Sequence, residues 1–379
     1  MIEENNKPLA YWYEKALCNE DIHMCTTMEL ANIDVQKLFD GNNAVKFIRE
    51  YFGNLRSNSV IESPARKFQG VLERITEFRA RHTVASFLLG IVVKEELSLN
   101  VQNWIRVYDT KSSKATFGFF WSLICLTHDV AYNWERNSRE MLEQVPTVDA
   151  FCQHNEIQYN LLDEANDSEL IRNYYRYRVK AAGKIDHGIV GGILIYDALM
   201  TFYYEAKQLS HANLCGLKLR KNFPDFCLQI AETVALHNMW RATEDNEKTY
   251  EFYKLHELIP DGSGRGLVLY KDNTLLFLLG LIDTMDPVKA FCSTEGRSVR
   301  LPLDEVLNNF YIQFTKYTKT KKICMQFSNS NFHGNYKKSI DEMKRWLGVS
   351  INHLKNDKVE ISIRMDSKKQ LENDSNHMI

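Results

Sequence analysis

Little in this sequence points outward. Its 47 basic and 49 acidic residues leave a net charge of -2 over 379 residues, so no chain-wide field draws it to nucleic acid or to an anionic membrane. Any contact with a polyanion has to come from a local patch. The longest apolar run, near Leu275–Ile282, is far too short to span a bilayer. The opening M-I-E-E-N-N-K-P is acidic and polar, without the apolar segment of a secretory leader, and a cytoplasmic protein with no membrane contact is expected. The eight cysteines are scattered through mostly apolar stretches and include no C-x-x-C pair. That argues against a disulfide framework and against Cys18, His23 and Cys25 as a zinc clip, and it fits reduced, buried thiols. P-D-G-S-G-R-G at Pro260–Gly266 lacks the Lys-Ser/Thr ending and the following helix of a phosphate-binding loop, so it reads as a flexible loop at a site mouth. No internal repeat or low-complexity segment is present.

What the chain does have is apolar helical periodicity. With 44% hydrophobic and 12% aromatic residues it can bury a large core. Residues 1–28 read as polar and irregular, followed by short helices over Asp34–Phe39 and Ala44–Leu55. Arg66–Leu97 reads as one long helix, because Phe68, Val71, Leu72, Ile75, Phe78, Val84, Phe87, Leu88 and Val92 recur three or four apart. Phe117–Trp134, Ile185–Ala206 and Asp225–Arg241 read as further helices, and Leu275–Ile282 is wholly apolar. Asn100–Thr110 is a short strand or loop, and residues 136–168 look like a peripheral insertion or lid. Beyond Arg297 the pattern changes: Asn309–Thr315, Lys322–Phe327 and Val359–Arg364 alternate like strands, with an amphipathic helix at Lys337–Leu354 and a basic turn at Lys316–Lys322. The expected fold is mainly α with a small C-terminal α+β appendage. The expected divisions are an N-terminal helical extension (1–65), a helical domain (66–296), the appendage (297–365) and a disordered tail (366–379).

Chemistry-bearing residues lie inside that apolar background. Four of the eleven histidines, His82, His128, His187 and His237, fall in apolar helical stretches. Asp129 follows His128 directly, and Asp283 ends the apolar run of residues 275–282. An ionised carboxylate in such a place is costly unless it is paired or bound to metal. Four separated histidines plus two aspartates therefore suggest convergence on one cation site. Asp286, which precedes Pro287, is better read as a helix N-cap. Gly188, Gly191 and Gly192 just after His187 cost helix stability, which points to close packing or to room beside His187. Glu169–Lys184 interleaves Arg172, Arg176, Arg178, Lys180 and Lys184 with Tyr174, Tyr175 and Tyr177. Such a run can hold phosphates and stack a base, or can cover apolar surface with long side chains.

The order His82, His128-Asp129, His187, His237, Asp283 resembles the HD superfamily of metal-dependent phosphohydrolases, over roughly residues 70–295, and its two extra histidines resemble the two-metal branch. The resemblance implies an HD-type helical bundle with His82, His128 and Asp283 on one ion, His187 and His237 on a second, and Asp129 bridging. It implies two divalent transition ions about 3.5–4 Å apart, with a water activated for attack on a phosphate ester. Donors of nitrogen and carboxylate type without thiolate favour Mn, Fe, Co, Ni or Zn. The expected substrate is a nucleotide or nucleic-acid phosphate ester. The Lys that follows the His-Asp pair in many such enzymes is replaced by Val130, Ala131, Tyr132 and Asn133, so Lys184, Arg81, Arg178 and Arg241 become the candidates for phosphate contact, with Lys184 also a candidate proton donor. His237 is followed by Asn238 where some two-metal members have a further histidine, and no Gly-Tyr-Pro element or helicase region is present. Two alternatives stay open: a diiron oxygenase resembling inositol oxygenase, and a non-catalytic metal- or nucleotide-binding signalling protein.

Overall fold

A computed structural model describes residues 6–23, 25–26, 28–39, 42–52, 62–99, 116–207, 213–214, 217–219, 221–239, 247–255, 268, 270, 273–292, 301–316, 320–327, 333–347 and 360–366. The protein is mainly α; among the described residues there are also one four-stranded sheet and a short two-stranded antiparallel ladder that pairs Asn213–Leu214 with Leu217–Lys218. The helices used below are α1 (Leu9–Leu17), α2 (Asn43–Tyr51), α3 (Glu62–Leu72), α4 (Glu77–Glu96), α5 (Phe117–Cys125), α6 (Tyr132–Arg136), α7 (Ser168–Ala182), α8 (His187–Ala206), α9 (Phe223–Leu236), α10 (Glu247–Phe252), α11 (Thr274–Met285), α12 (Pro287–Cys292), α13 (Leu303–Asn309) and α14 (His333–Trp346). The strands of the larger sheet are β1 (Asn6–Pro8), β2 (Phe310–Lys316), β3 (Thr320–Phe327) and β4 (Glu360–Asp366). None of the described helices is long and apolar enough to cross a membrane.

Two helices form the centre. Every residue of α8 except Tyr204 and Glu205 is buried, as expected of a helix apolar all round. It packs against α9 and α3. The pair approaches closely because of Gly192: a Cβ there would lie 2.6 Å from the Ala231 carbonyl oxygen and 2.8 Å from the Ala235 Cβ. The second, α4, lies against α1, α2, α5, α11 and α12. Its Gly90 accommodates Trp121 of α5, whose indole Nε1 donates to the Phe87 carbonyl at 2.9 Å.

Three expectations change. Residues 9–17 form α1 rather than irregular chain, burying Leu9, Trp12, Tyr13, Ala16 and Leu17 on one helical face. The long helix expected over Arg66–Leu97 is two, because residues 73–76 turn and Thr76 takes extended backbone at the N-cap of α4. Phe117–Trp134 is likewise broken, with Leu126–Ala131 forming consecutive turns between α5 and α6. Across 126–131 the apolar residues run on because the turn is itself buried, Val130 and Ala131 being 1% and 0% exposed. Across 73–76, by contrast, Glu73 and Arg74 are exposed and Ile75 is buried, an alternation that a continuing amphipathic helix would show as well. The stretches 100–110, 241, 260–266 and 367–379 lie outside the described residues, including Arg241 and nearly all of the expected tail.

The sheet has the order β1-β2-β3-β4, antiparallel except for the parallel pair β3/β4. Phe310, Ile312 and Phe314 of β2 alternate inward. The strand β1 pairs with β2, Lys7 opposite Ile312, and Trp12 Nε1 donates to the Ile312 carbonyl at 2.9 Å. The amphipathic α14 joins β3 to β4 and packs on α11, which ties the sheet to the helix carrying Asp283.

Candidate metal centre

The breaks in the helices are what place the site. Because α4 restarts at Glu77, Arg79 and His82 fall one turn apart on a shared face. The turns after α5 aim His128 and Asp129 inward. His187 is the first residue of α8, whose N-cap Asp186 accepts from the Ile189 amide, and His237 is the C-cap of α9. Asp283 lies in the last turn of α11. The imidazoles are almost fully buried, at 1% for His82, 0% for His128, 8% for His187 and 4% for His237, and Asp129 is 3% exposed.

These side chains meet. One donor atom each from His82, His128 and Asp283 lies within 4.8 Å of the others, and so does one each from His128, Asp129 and His237. His82 Nε2 is 2.7 Å from Asp283 Oδ1 and 3.3 Å from His128 Nε2. Asp129 divides its two oxygens: Oδ2 lies 3.8 Å from both His82 Nε2 and His128 Nε2, while Oδ1 lies 3.1 Å from His187 Nε2. His128 stands in the middle, its ring 5.2 Å from that of His82 and 5.3 Å from that of His237. It thus belongs to both groups, whereas His187 joins through Asp129 and through ring contact with His237 at 5.2 Å.

Each of the four Nδ1 atoms is taken by an oxygen acceptor. His82 Nδ1 donates to Asp286 Oδ2 at 2.6 Å, and His187 Nδ1 to Glu135 Oε2 at 2.5 Å. His128 Nδ1 donates to the Cys125 carbonyl at 2.8 Å, and His237 Nδ1 to the Val234 carbonyl at 2.6 Å. An acceptor at Nδ1 fixes the tautomer and leaves the Nε2 lone pair for a cation, which is how metal-ligating histidines are held. The donor set, all imidazole nitrogen and carboxylate oxygen, suits a divalent transition ion.

Cations flank the carboxylates. Arg79, 8% exposed, places Nη1 3.2 Å from Asp129 Oδ2 and stacks its guanidinium 3.3 Å over the Tyr132 ring. Lys289 of α12 sets Nζ 2.7 and 2.8 Å from the two Asp283 oxygens. Burial alone would raise the Asp129 carboxyl, but Arg79, then His128 and His187, outweigh it and hold the group well below the usual carboxylate range. Lys289, His128 and His82 do the same for Asp283 against its burial. His187 is lowered by burial but raised further by Asp129 and Glu135, to about 10, so without an ion its Nε2 carries a second proton toward Asp129, one that a bound metal would have to displace. Burial, then the charges of His187 and His128, push His237 down to about 3, so it is the neutral imidazole that a metal requires.

The basic candidates fare differently. Arg178 binds Glu135 Oε1 at 3.0 Å and Asp186 Oδ2 at 3.2 Å, so it supports His187 from behind. Lys184 is half exposed and 3.9 Å from Glu135, and Arg81 pairs with Glu77 one turn earlier at 3.0 Å. Sequence reasoning passed over Arg79, Glu135 and Lys289, and gave Asp286 only one of its two roles. Asp286 does cap α12, accepting from the amides of Val288 and Lys289 at 2.9 and 3.1 Å, and the same carboxylate orients His82. The spacing of Arg79 three residues before His82 was a usable signal; nothing local marks Lys289. Comparison with protein-family models, with curated proteins and with solved structures finds no match for this chain.

Proposed function

We propose that the protein is a metal-dependent phosphohydrolase or phosphodiesterase of the HD type, acting on a nucleotide or nucleic-acid phosphate ester. The observation that carries this reading is the shared orientation of the histidines: four Nδ1 atoms bound to acceptors, with Asp129 presenting one oxygen to each side of the cluster. His82, His128, Asp129 and Asp283 would hold one divalent ion, and His187 and His237 with Asp129 a second. Bound there, such ions supply Lewis acidity toward a phosphoryl oxygen and acidify water at neutral pH.

The remaining work falls to the chain. Asp286 and Glu135 keep the His82 and His187 rings from rotating, and the carbonyls of Cys125 and Val234 do so for His128 and His237. The stacked Arg79 guanidinium sets the Asp129 carboxylate plane. Lys289, with a side chain 37% exposed, stands between Asp283 and solvent, where its ammonium is placed to meet an incoming phosphate. It fills the role left open by the apolar residues after Asp129. Two cations beside the site favour an anionic substrate over a neutral polyol, and on that ground hydrolysis is preferred to the oxygenase alternative.

The test is elemental analysis of the purified protein together with hydrolysis of bis-p-nitrophenyl phosphate in Mn(II). Bound transition metal and turnover that is lost on chelation and restored by Mn(II) are expected. Metal without turnover on a panel of phosphate mono- and diesters would sink the reading, and a mixed-valent iron spectrum under anaerobic loading would replace it with oxygen chemistry.

A further inference from the structure

One feature of the sequence is left unused by the centre: the basic, tyrosine-rich α7. From Ser168 to Lys184 it carries five basic residues and one acid. Its inner face, Leu170, Ile171, Tyr174, Tyr175 and Val179, is buried. Two of its arginines are spent on structure, Arg172 on Asp149 and Arg178 on Glu135 and Asp186. Arg176 and Lys180 point outward and are exposed.

Against this helix packs α10, and together they lay out a line of rings. Tyr174 meets Tyr177 at 5.5 Å between centroids, Tyr177 meets Tyr250 at 5.0 Å and Tyr253 at 5.9 Å, and Tyr253 meets Phe252 at 5.0 Å. The line starts beside the histidines: the Tyr174 hydroxyl donates to the carbonyl of Asn238, the residue after His237, at 2.9 Å. It ends in solvent. Phe252 is 79% exposed, against 40% and 46% for Tyr11 and Tyr204, the other exposed large hydrophobics among the described residues. A phenyl ring left that open at the end of an aromatic series, with Lys180 one helical turn from Tyr177, has the composition of a base-stacking surface beside a phosphate track.

We propose that the face formed by Tyr177, Tyr253 and Phe252, rimmed by Arg176 and Lys180, binds single-stranded nucleic acid, stacking bases as the strand leaves the histidine cluster. α10 itself carries two acids, Glu247 and Glu251, and one base, Lys248, with Lys254 just beyond its end, so the attraction for phosphate comes from α7. Rings at graded depth from the centre outward suit several successive nucleotides better than one. The inference deepens the hydrolytic reading, because the strand would present its phosphodiester to the centre, yet the stacking itself requires no turnover.

Fluorescence anisotropy of a fluorescein-labelled 12-nucleotide oligo(dT), repeated with oligo(U), tests it on the full chain, with dTMP as competitor and bis-p-nitrophenyl phosphate turnover measured in parallel. Expected are binding of the 12-mer, competition by dTMP only at far higher concentration, and about tenfold weaker binding in Phe252→Ala. The double variant Arg176→Gln/Lys180→Gln should bind with a shallower salt dependence. Turnover of the small diester should be unchanged in Phe252→Ala, in Tyr253→Ala and in the double variant, since none touches the cluster. Unchanged 12-mer affinity in Phe252→Ala and Tyr253→Ala, or dTMP competing as well as the 12-mer, overturns the proposal. So does Phe252→Ala turning a dimer into a monomer while leaving oligonucleotide binding alone, because the ring would then be a contact between copies. Stacking as expected with no diester turnover leaves this inference standing and removes the hydrolytic one.

Discussion

The four histidines are held in two different ways. His128 and His237 donate to carbonyls three residues earlier in their own segments, Cys125 and Val234. His82 and His187 instead depend on carboxylates 204 and 52 residues away, Asp286 and Glu135. The local pair is oriented as soon as α5 and α9 form, whatever the rest of the chain does. The distant pair is oriented only when α12 docks on α4 and α6 docks on α8. A backbone carbonyl is a neutral acceptor, whereas a carboxylate adds charge that raises the basicity of the ring it holds. The centre thus has a fixed axis, His128 and His237, and two flanks whose electronics are set by tertiary contacts.

The flanks meet through Asp129, and its loss should have the largest effect. Asp129→Asn keeps the shape and removes the charge shared by both sides. Metal content should fall by at least one equivalent, and diester turnover should drop by more than the roughly 10- to 100-fold typical of residues behind the ligands. Arg79 would then be buried without its carboxylate, so thermal stability should fall as well. Metal retained at wild-type stoichiometry in the folded variant would refute the bridging role.

Next come the two supporting carboxylates, which can be broken separately. Asp286→Asn and Glu135→Gln should each weaken metal binding about 10- to 100-fold, one on each flank, by isothermal titration with Mn(II) or Zn(II). Asn remains a good N-cap, so Asp286→Asn should leave α12 intact, whereas Asp286→Ala should lose a further ~1 kcal/mol of stability on denaturation. No comparable surgery exists for His128 and His237, whose acceptors are main chain. If Asp286→Asn binds metal as tightly as the parent, the contrast between local and distant orientation has no functional content.

The same contrast explains what could be read in advance. Helices, strands and their order follow from apolar periodicity, and the six ligand-type residues stand out because polar groups in apolar runs are costly. The break at residues 126–131 was hidden because a buried turn keeps the apolar composition of the helices it joins, and the break at 73–76 because exposed Glu73 and Arg74 beside buried Ile75 fit the two faces of a continuing amphipathic helix. α1 was hidden by the polar residues on either side of a nine-residue helix whose buried face comes from Trp12 and Tyr13 as much as from aliphatics. Glu135, Lys289 and the second role of Asp286 were illegible for a different reason. Each sits at a helix end, where a charged residue is already explained by capping or solvent, and only the distant contact reveals the rest. Arg79 was missed although its spacing from His82 places it on the same face.

A smaller effect separates two glycines on α8. A Cβ at Gly192 runs into the main chain of α9, 2.6 Å from the Ala231 oxygen, while one at Gly188 makes a milder approach, 3.1 Å from His237 Cε1 and Nδ1 and from the Val234 carbonyl oxygen that the same Nδ1 donates to. Gly192→Ala should therefore destabilise the fold, by about 1–3 kcal/mol of overpacking offset in part by the ~1 kcal/mol helix preference of alanine. Gly188→Ala should change melting little but disturb the fixed axis, seen as weaker metal binding. The reverse assignment, with Gly192→Ala altering metal binding and Gly188→Ala altering stability, would mean that α8 packs differently against α9.

The smallest expected effect contrasts Glu135 with a second partly buried glutamate, Glu232 on α9. Burial raises both, but His187, Arg178 and Lys184 bring Glu135 down to about 2. Glu232 has only the Asn166 amide, donating at 2.9 Å, against burial and the nearby Asp167, and is pushed up to about 7. A carboxyl whose folded value lies above its unfolded one contributes stability that is complete below the unfolded value. That contribution is lost as pH rises through the folded value. The parent should therefore lose stability from this group between about pH 4.5 and 7. Glu232→Gln keeps an oxygen for the Asn166 amide and cannot ionise, so its melting temperature relative to the parent should be higher at pH 8 than at pH 5. For a chain of this size the gain is on the order of 2 °C or less per kcal/mol. An equal offset at both pH values would show that Glu232 is already solvated in the folded state, and would leave Glu135 as the one buried glutamate of the pair whose charge the fold has to balance.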